Sequence, residues 1–431
     1  MDIHNAVSFA GLFVLMGMAW LLSADRRRMN WRAIGCGVGL QLVLGAAVFW
    51  TPRSRAFFLW LNDRVVSLLT AAQAGQRFLF GPLADPRATD GVFGAGKGFV
   101  LAIQALPVIV FFSALMALLY HWRIMPRIIR GFAWVFTRLM RISGAESLCA
   151  ASNIFVGIES ATTVRPFLKD MTRSEFCTIL TAGMATVASS TLAVYVGMLH
   201  ETFPTIAGHL ISASIISAPA ASVFSKVLLP EAGRPVTLGK SIRPAIEKHA
   251  GSIDAIVAGA MAGVKLLVGV CALLLAFLGM IALVDLALGA VGGWLADGLG
   301  WAWAAEMSLG RLLGYVFRPV AWVIGVPWAD TAPAGQMLGT RLVATEIPAY
   351  VQLAGAMKAG AFSHPRSGVV IAYALCGFAH VASLAIFVGG IAALVPERRA
   401  DLAAVGPRAL LAATLACLMT GAVAGAFYVA P

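Results

Sequence analysis

Two stretches, "AGMATVASS" at 182–190 and "CGFAHVASL" at 376–384, share one frame: Gly, a large apolar residue, Ala, a variable residue, Val, Ala and Ser. Arg173 and Ser174 precede the first copy, and Arg366 and Ser367 precede the second at nearly the same distance. Both copies lie inside apolar runs. A frame repeated within hydrophobic sequence reads as duplication of a membrane-embedded unit.

The rest of the chain agrees. Of 431 residues, 60% are hydrophobic and 12% charged, and the apolar residues gather in runs of about twenty, the length that crosses a bilayer as helix. Eight spans are read, at 6–24, 33–51, 98–121, 176–199, 206–224, 256–290, 368–395 and 410–430. The first is read as a retained helix rather than a signal peptide, because it is long and lacks a small-residue cleavage site. Cys36, Cys149, Cys177, Cys271, Cys376 and Cys417 stand singly in or near apolar runs, without metal-ligand spacing, and behave as small hydrophobes.

A net charge of +12 in a soluble chain would suggest nucleic acid. Here the basic residues gather in loops, as the positive-inside rule requires, and no nucleic-acid partner is expected. Arg26, Arg27, Arg28 and Arg32 follow span one; Arg123, Arg127, Arg130, Arg138 and Arg141 follow span three. Lys226, Arg234, Lys240, Arg243 and Lys248 follow span five, and Arg398 and Arg399 follow span seven. Those loops belong in the cytoplasm, which puts both termini outside. Arg53, Arg55, Arg64, Arg77 and Arg87 oppose the rule in the outer segment after span two, where "AFFLWLNDRVVSLL" reads as an amphipathic interfacial stretch.

Residues 144–171 and 328–357 are apolar but carry acids, Gly and Pro, too polar for a lipid-facing helix. They read as re-entrant hairpins, since irregular backbone at membrane depth must be buried in protein or line a water-filled cavity. An amphipathic stretch precedes each: "RIMPRIIRGFAWVFTRLMRI" and "GRLLGYVFRPVAWVIGVP". The order in each half is span, surface helix, hairpin, span, span. Span four runs outward and span seven inward, so the halves are inverted. Inverted repeats with broken helices at the midplane are the architecture of secondary transporters.

The first hairpin contains "NIFVGIESATTVRPF" and the second "GTRLVATEIPAY", which place Glu159 and Glu346 near the two tips. An ionised carboxylate at the bilayer centre costs roughly 2.5–3.5 kcal/mol even on lenient insertion scales, so each needs a partner or a task. Either it ties the hairpin turn together, or it binds a polar solute or a coupling proton. His380 stands in the repeat frame where the first half has Thr186, with Phe378 and Ser383 two and three residues away. It reads as a packed core imidazole or as a ligand group. Asn153, Thr186 and the carbonyls of Val156 and Val187 offer the neutral oxygens a Na+ ion accepts where helices unwind, or else cap and close their own backbone.

Three other patterns carry no function. "GVFGAGKG" at 91–98 ends in Gly98 where a phosphate loop needs a hydroxyl. "HETFP" at His200 lacks the second His of a zinc protease, and Lys265 snorkels from span six. With no paired His or Asp motif at the midplane, an enzyme is not expected.

The chain resembles the concentrative nucleoside transporter family over nearly its whole length. The likeness is carried by "LLSADRRRMNWRAIG", "ALPVIVFFSAL", "NIFVG" followed by Glu159 and "VRPF", "IGVPW", "GTRLVATEIPAY" and "YALCGFAHVASLAIFVGGIAALVPERRADLA", in that order. The resemblance implies eight spans plus two re-entrant hairpins, an all-α homotrimer in the lipid bilayer, and nucleoside symport with Na+ or H+ and no other cofactor. Divided accordingly, 1–97 is N-terminal scaffold, 98–230 the first repeat, 231–255 a cytoplasmic loop and 256–431 the second repeat.

Family members hold the base with a Gly-Gln-Thr-Glu-Ala-Pro tip. This chain reads Gly157, Ile158, Glu159, Ser160, Ala161, one residue shorter, with Ile158 in place of Gln. The resemblance assigns Glu346, Phe378 and Ser383 to the ribose and puts His380 where the family has Asn. It groups Gly157, Ile158, Glu159, Ser160 and Thr191 on the substrate side, and assigns Asn153, Val156, Thr186 and Val187 to Na+. The altered tip leaves a symporter of another small polar metabolite as the alternative.

Overall fold

The structure, a computed structural model, describes residues 3–93, 98–245 and 249–429, without the side chains of Arg87 and Ile158. Lys248, residue 430 of the last expected span and residues 94–97 of the glycine-rich stretch lie outside the described residues.

The described residues are helical, and their one pairing of extended backbone is an isolated bridge between Ser143 and Leu238. The helices are α1 (Ile3–Leu21), α2 (Trp31–Trp50), α3 (Pro52–Phe80), α4 (Pro86–Phe93), a single turn α5 (Leu101–Gln104), α6 (Val108–His121), α7 (Ile124–Met140), α8 (Gly144–Asn153) and α9 (Arg173–Ala185). Then come α10 (Ser189–Leu199), α11 (Ile206–Leu228), α12 (Ser252–Leu299), α13 (Leu309–Val323), α14 (Thr331–Val343), α15 (Glu346–Lys358), α16 (Pro365–Leu375), α17 (Val381–Leu394) and α18 (Arg399–Phe427). Among the described residues, seven helical stretches are long and apolar enough to cross a membrane. The eighth crossing is the pair α16 and α17, whose pieces are each too short alone.

Both hairpins form. In the first, α8 rises to a tip at residues 154–157 and a 3-10 limb, Ile158–Asp170, returns. In the second, α14 rises and α15 returns. The base of each is tied to the next helix by its own polar residues. Ser143 and Thr172 cap α8 and α9 in reciprocal boxes with Glu146 and Glu175, and Ser143 Oγ donates to Glu175 at 2.6 Å. Asp330 accepts from Ser363 N at 2.8 Å and from the Ser367 hydroxyl.

Four sequence expectations need correction. Spans four and seven are not continuous: each breaks inside the repeated frame, after Ala185 and after Leu375. Span three also breaks, ahead of α6 at Pro107, which donates no backbone hydrogen bond. Span six runs to 48 residues, roughly 72 Å at 1.5 Å per residue, well beyond a bilayer core. Finally, Lys226 is not a loop cation. It is 4% exposed, paired with Glu146 and Glu231, and donates to Ser174 at 2.9 Å.

The frame glycines explain why the breaks coincide in space. A Cβ at Gly377 would stand 2.5 Å from Cys417 Sγ and 2.9 Å from the carbonyl oxygen of Ala185. One at Gly183 would stand 2.2 Å from the Phe387 ring of α17. Each broken span thus uses its frame glycine to approach the other, and the two cross at their unwound centres.

Candidate functional site

At the break after α9, Thr186 is extended (φ −115°, ψ 169°) and its hydroxyl donates back to Ala182 at 2.9 Å. The interrupted ladder is repaired from neighbours. Val187 N donates to Ser214 Oγ of α11 at 3.2 Å, and Ser189 N donates to the Phe155 carbonyl of the first hairpin tip at 2.9 Å. Such side-chain closure is what permits unwound backbone at membrane depth.

His380, the frame equivalent of Thr186, is likewise extended (φ −144°, ψ 164°). Its Nδ1 accepts the Ser383 amide at 3.2 Å and caps α17. An amide donates only to an unprotonated nitrogen, so a neutral ring carries its proton on Nε2. That nitrogen lies 2.7 Å from Ser383 Oγ and 2.9 Å from Glu346 Oε2.

Glu346 opens α15, where a carboxylate meets the positive end of the helix dipole. It is 3% exposed, and its Oε1 accepts the Tyr195 hydroxyl at 2.6 Å. Tyr195 is stacked on Tyr350 with ring centroids 4.4 Å apart. Although close to His380, Glu346 Oε2 receives no aligned hydrogen bond among the described residues, and neither does the buried Thr345 hydroxyl beside it. A buried carboxylate oxygen with only one poorly aligned imidazole beside it keeps capacity for a further donor.

These groups face a cavity of about 350 Å³ between the two hairpin tips, the two breaks, α6 and α12. Val156, Gly157, Glu159, Thr191, Thr345, Glu346, Phe378, His380 and Ser383 line it. Glu159 departs from expectation. Its side chain is exposed rather than buried, so the carboxylates at the two tips occupy unlike environments and only Glu346 bears a desolvated charge. Ser160 turns away, with its hydroxyl buried 3.5 Å from Cys149 Sγ. Thr162 and Thr163 donate to the carbonyls of Glu159 and Ser160 within their own limb, each at 2.6 Å. The Ile158 side chain lies outside what the structure describes.

Asn153 ends α8. Its Nδ2 donates to the Cys149 carbonyl at 3.0 Å, whereas its Oδ1 is buried without a partner among the described residues. A neutral oxygen left open at an unwound tip suits a hard monovalent cation. The Val187 carbonyl nearby accepts Ser214 Oγ at 3.3 Å. No cluster of three or more His, Cys, Asp or Glu that would suit a transition metal occurs among the described residues.

Sequence reading missed Tyr195 and Arg341, which is fully buried. A phenol hydroxyl alone in the apolar run "TLAVYVGML" was the available signal for the first, because a buried Tyr seeks a hydrogen-bond partner.

Comparison with known proteins points to one family. The family profile for the N-terminus of Na+-dependent nucleoside transporters matches residues 10–83, a nucleoside-recognition profile matches 102–202, and the corresponding C-terminal profile matches 209–425. A protein named nucleoside permease NupC, from Helicobacter pylori, is 36% identical over 430 residues, covering 99% of both chains. Sodium/nucleoside cotransporter 1 of Mus musculus is 35% identical over 99% of this chain and 64% of its own length. An inward-facing, substrate-bound structure of CNTnw superposes with a TM-score of 0.89 at 36% identity, covering 98% of each chain. An outward-facing CNTnw variant gives 0.90, so overall likeness does not select a conformational state.

Proposed function

The chain belongs to the concentrative nucleoside transporter family, a family of membrane transporters and not of enzymes, and from that membership we propose that it imports nucleosides by symport with Na+. The single observation that carries the proposal is Glu346. It is a buried carboxylate with one oxygen held by Tyr195 and the other beside His380 Nε2 on the wall of a 350 Å³ cavity, within reach of ribose hydroxyls.

In this reading the ribose donates to Glu346 Oε2. Ser383 and the Nε2–H of His380 contact the same sugar, and Phe378 packs against its face. The base lies toward the first tip, beside Gly157, Glu159 and Thr191, which line the cavity, whereas Ser160, with its hydroxyl buried against Cys149, drops out of the expected set. With Ile158 where the family has Gln, Glu159 is the polar group left there to read a base edge, and its exposure to the cavity supports that role.

Na+ is proposed at Asn153 Oδ1, Thr186 and the carbonyls of Val156 and Val187. The unpartnered, buried Asn153 oxygen supports it, and so does the cation named for the family. The hydrogen bond from Ser189 to Phe155 joins the hairpin tip to the break beside that corner. An ion ordering the corner therefore shapes the adjacent nucleoside cavity, which is the physical content of coupling.

Alternating access is proposed as an elevator motion. The first hairpin with α9–α10 and α16–α17 forms the moving unit, and a trimer scaffold that includes α12 and α6 stays fixed, within the repeat boundaries 98–230 and 256–431. The long α12 supports a scaffold role. Few of its residues are buried in the single chain, which leaves apolar surface for lipid and for two neighbours in a homotrimer. The inner bacterial membrane with both termini outside completes the proposal.

Binding of tritiated nucleosides to the purified protein tests it. Saturable, Na+-stimulated binding that Glu346→Gln abolishes is expected. Absence of binding by uridine, adenosine and guanosine alike contradicts the substrate assignment.

A further inference from the structure

Arg341, in the last turn of α14, is with Arg366 one of the two largest fully buried side chains among the described residues. Its Nη1 donates to the Ala374 carbonyl in the last turn of α16, and its guanidinium lies beside Cys417 of α18. Nε and Nη2 have no partner among the described residues. Helix ends leave carbonyls unsatisfied and carry partial negative charge, so a cation at the end of a broken helix is held by dipole and hydrogen bond together. Tyr350 Oη adds a second donor from the same hairpin, to the Ala372 carbonyl at 2.9 Å.

In the first repeat α8 ends at Asn153 and packs along α9, and the tip just beyond it is tied to the α9 break by Ser189 N and the Phe155 carbonyl, but the need there is opposite. There Asn153 presents a buried acceptor with nothing to accept from. Here Arg341 presents buried donors with too few acceptors. We propose that Arg341 is a tethered cation standing, at the second break, where the mobile cation stands at the first. The transporter accordingly moves one Na+ per nucleoside, and Arg341 is a positioning residue that fixes the break presenting Phe378 and His380. The stoichiometry rests on the Na+ reading of the Asn153 corner given above.

The test uses the full chain in proteoliposomes, with uptake of labelled nucleoside and 22Na+ counted together. Wild type should give a ratio of one and a Hill coefficient near one for Na+. Arg341→Lys, which keeps the charge, should leave the nucleoside KM within about threefold. Arg341→Met should raise KM about tenfold or more while leaving a measurable kcat, a split that simple loss of folded protein does not produce. Two Na+ per nucleoside in wild type, or an Arg341→Met variant with wild-type KM, overturns the proposal. If Arg341→Met does not fold, the wild-type ratio and Arg341→Lys still decide. Uptake without any Na+ dependence removes the Asn153 reading first, and the one-ion stoichiometry with it.

Discussion

At the residue scale, the site is organised around one desolvated carboxylate and the groups that keep it tolerable. Removing the Tyr195 hydroxyl with Tyr195→Phe strips Glu346 of its aligned donor. Hydrogen bonds to charged groups contribute about 1.5–3 kcal/mol, so nucleoside affinity should fall by at least about tenfold in equilibrium binding. An unchanged Kd would mean that Tyr195 is only a packing residue. His380 has two tasks that substitution separates. Asn is a strong N-cap, so His380→Asn should keep the melting temperature, whereas His380→Ala should destabilise the protein by about 1 kcal/mol, read by thermal unfolding in detergent. Equal stability of the two variants would contradict the capping role.

Glu346 was legible from sequence because a carboxylate in an apolar hairpin is expensive wherever it sits. Glu159 obeyed the same logic and yet lies exposed. Spacing located both residues at hairpin tips but said nothing about whether water reaches each one. Arg341 stood in plain view in "GTRLVATE", yet its complete burial depends on α16 and α18, which arrive from elsewhere in the chain.

At the scale of elements, the repeated frame matters through its glycines. Gly377→Ala would push a methyl group to 2.5 Å from Cys417 Sγ and 2.9 Å from the Ala185 carbonyl, and backbone on that side has little freedom to yield. Overpacking of this kind costs typically about 1–3 kcal/mol. Gly377→Ala should therefore lower thermal stability and nucleoside binding together, while Gly389→Ala, with open space around its Cβ, should change neither. Wild-type binding by Gly377→Ala would show that the breaks do not depend on this contact.

The hairpins were legible because their polarity excludes them from lipid. The breaks in spans four and seven were not, because Gly, Ala and Val serve equally well in a continuous apolar helix. Only Thr186 and His380 marked the breaks, and each has an alternative role in regular structure.

At the scale of the molecule, α12 and α6 pack through small residues. A Cβ at Gly259 would meet Ala117 at 2.6 Å and the Ser113 carbonyl at 2.7 Å, and one at Gly263 would meet Val110 Cα at 2.8 Å. Four-residue spacing of small residues lets membrane helices approach closely without a hydrophobic drive between them. Gly263→Leu should separate α12 from α6, so that size-exclusion chromatography shows dissociated or aggregated protein. A wild-type elution profile would argue that this seam is not part of a scaffold. The duplication, the inversion and the number of crossings were all readable from apolar runs, basic loops and one shared frame. The length of α12 was not, since nothing in its composition marks where the bilayer ends.

The central claim is coupled nucleoside import through the Glu346 cavity. It is tested most directly by uptake of labelled uridine, adenosine and guanosine into proteoliposomes, with and without an inward Na+ gradient, for wild type and Glu346→Gln. The account predicts uphill accumulation of at least one of the three by wild type under the Na+ gradient only, and none by the variant. Accumulation that ignores the Na+ gradient, or that survives loss of the Glu346 charge, would contradict it.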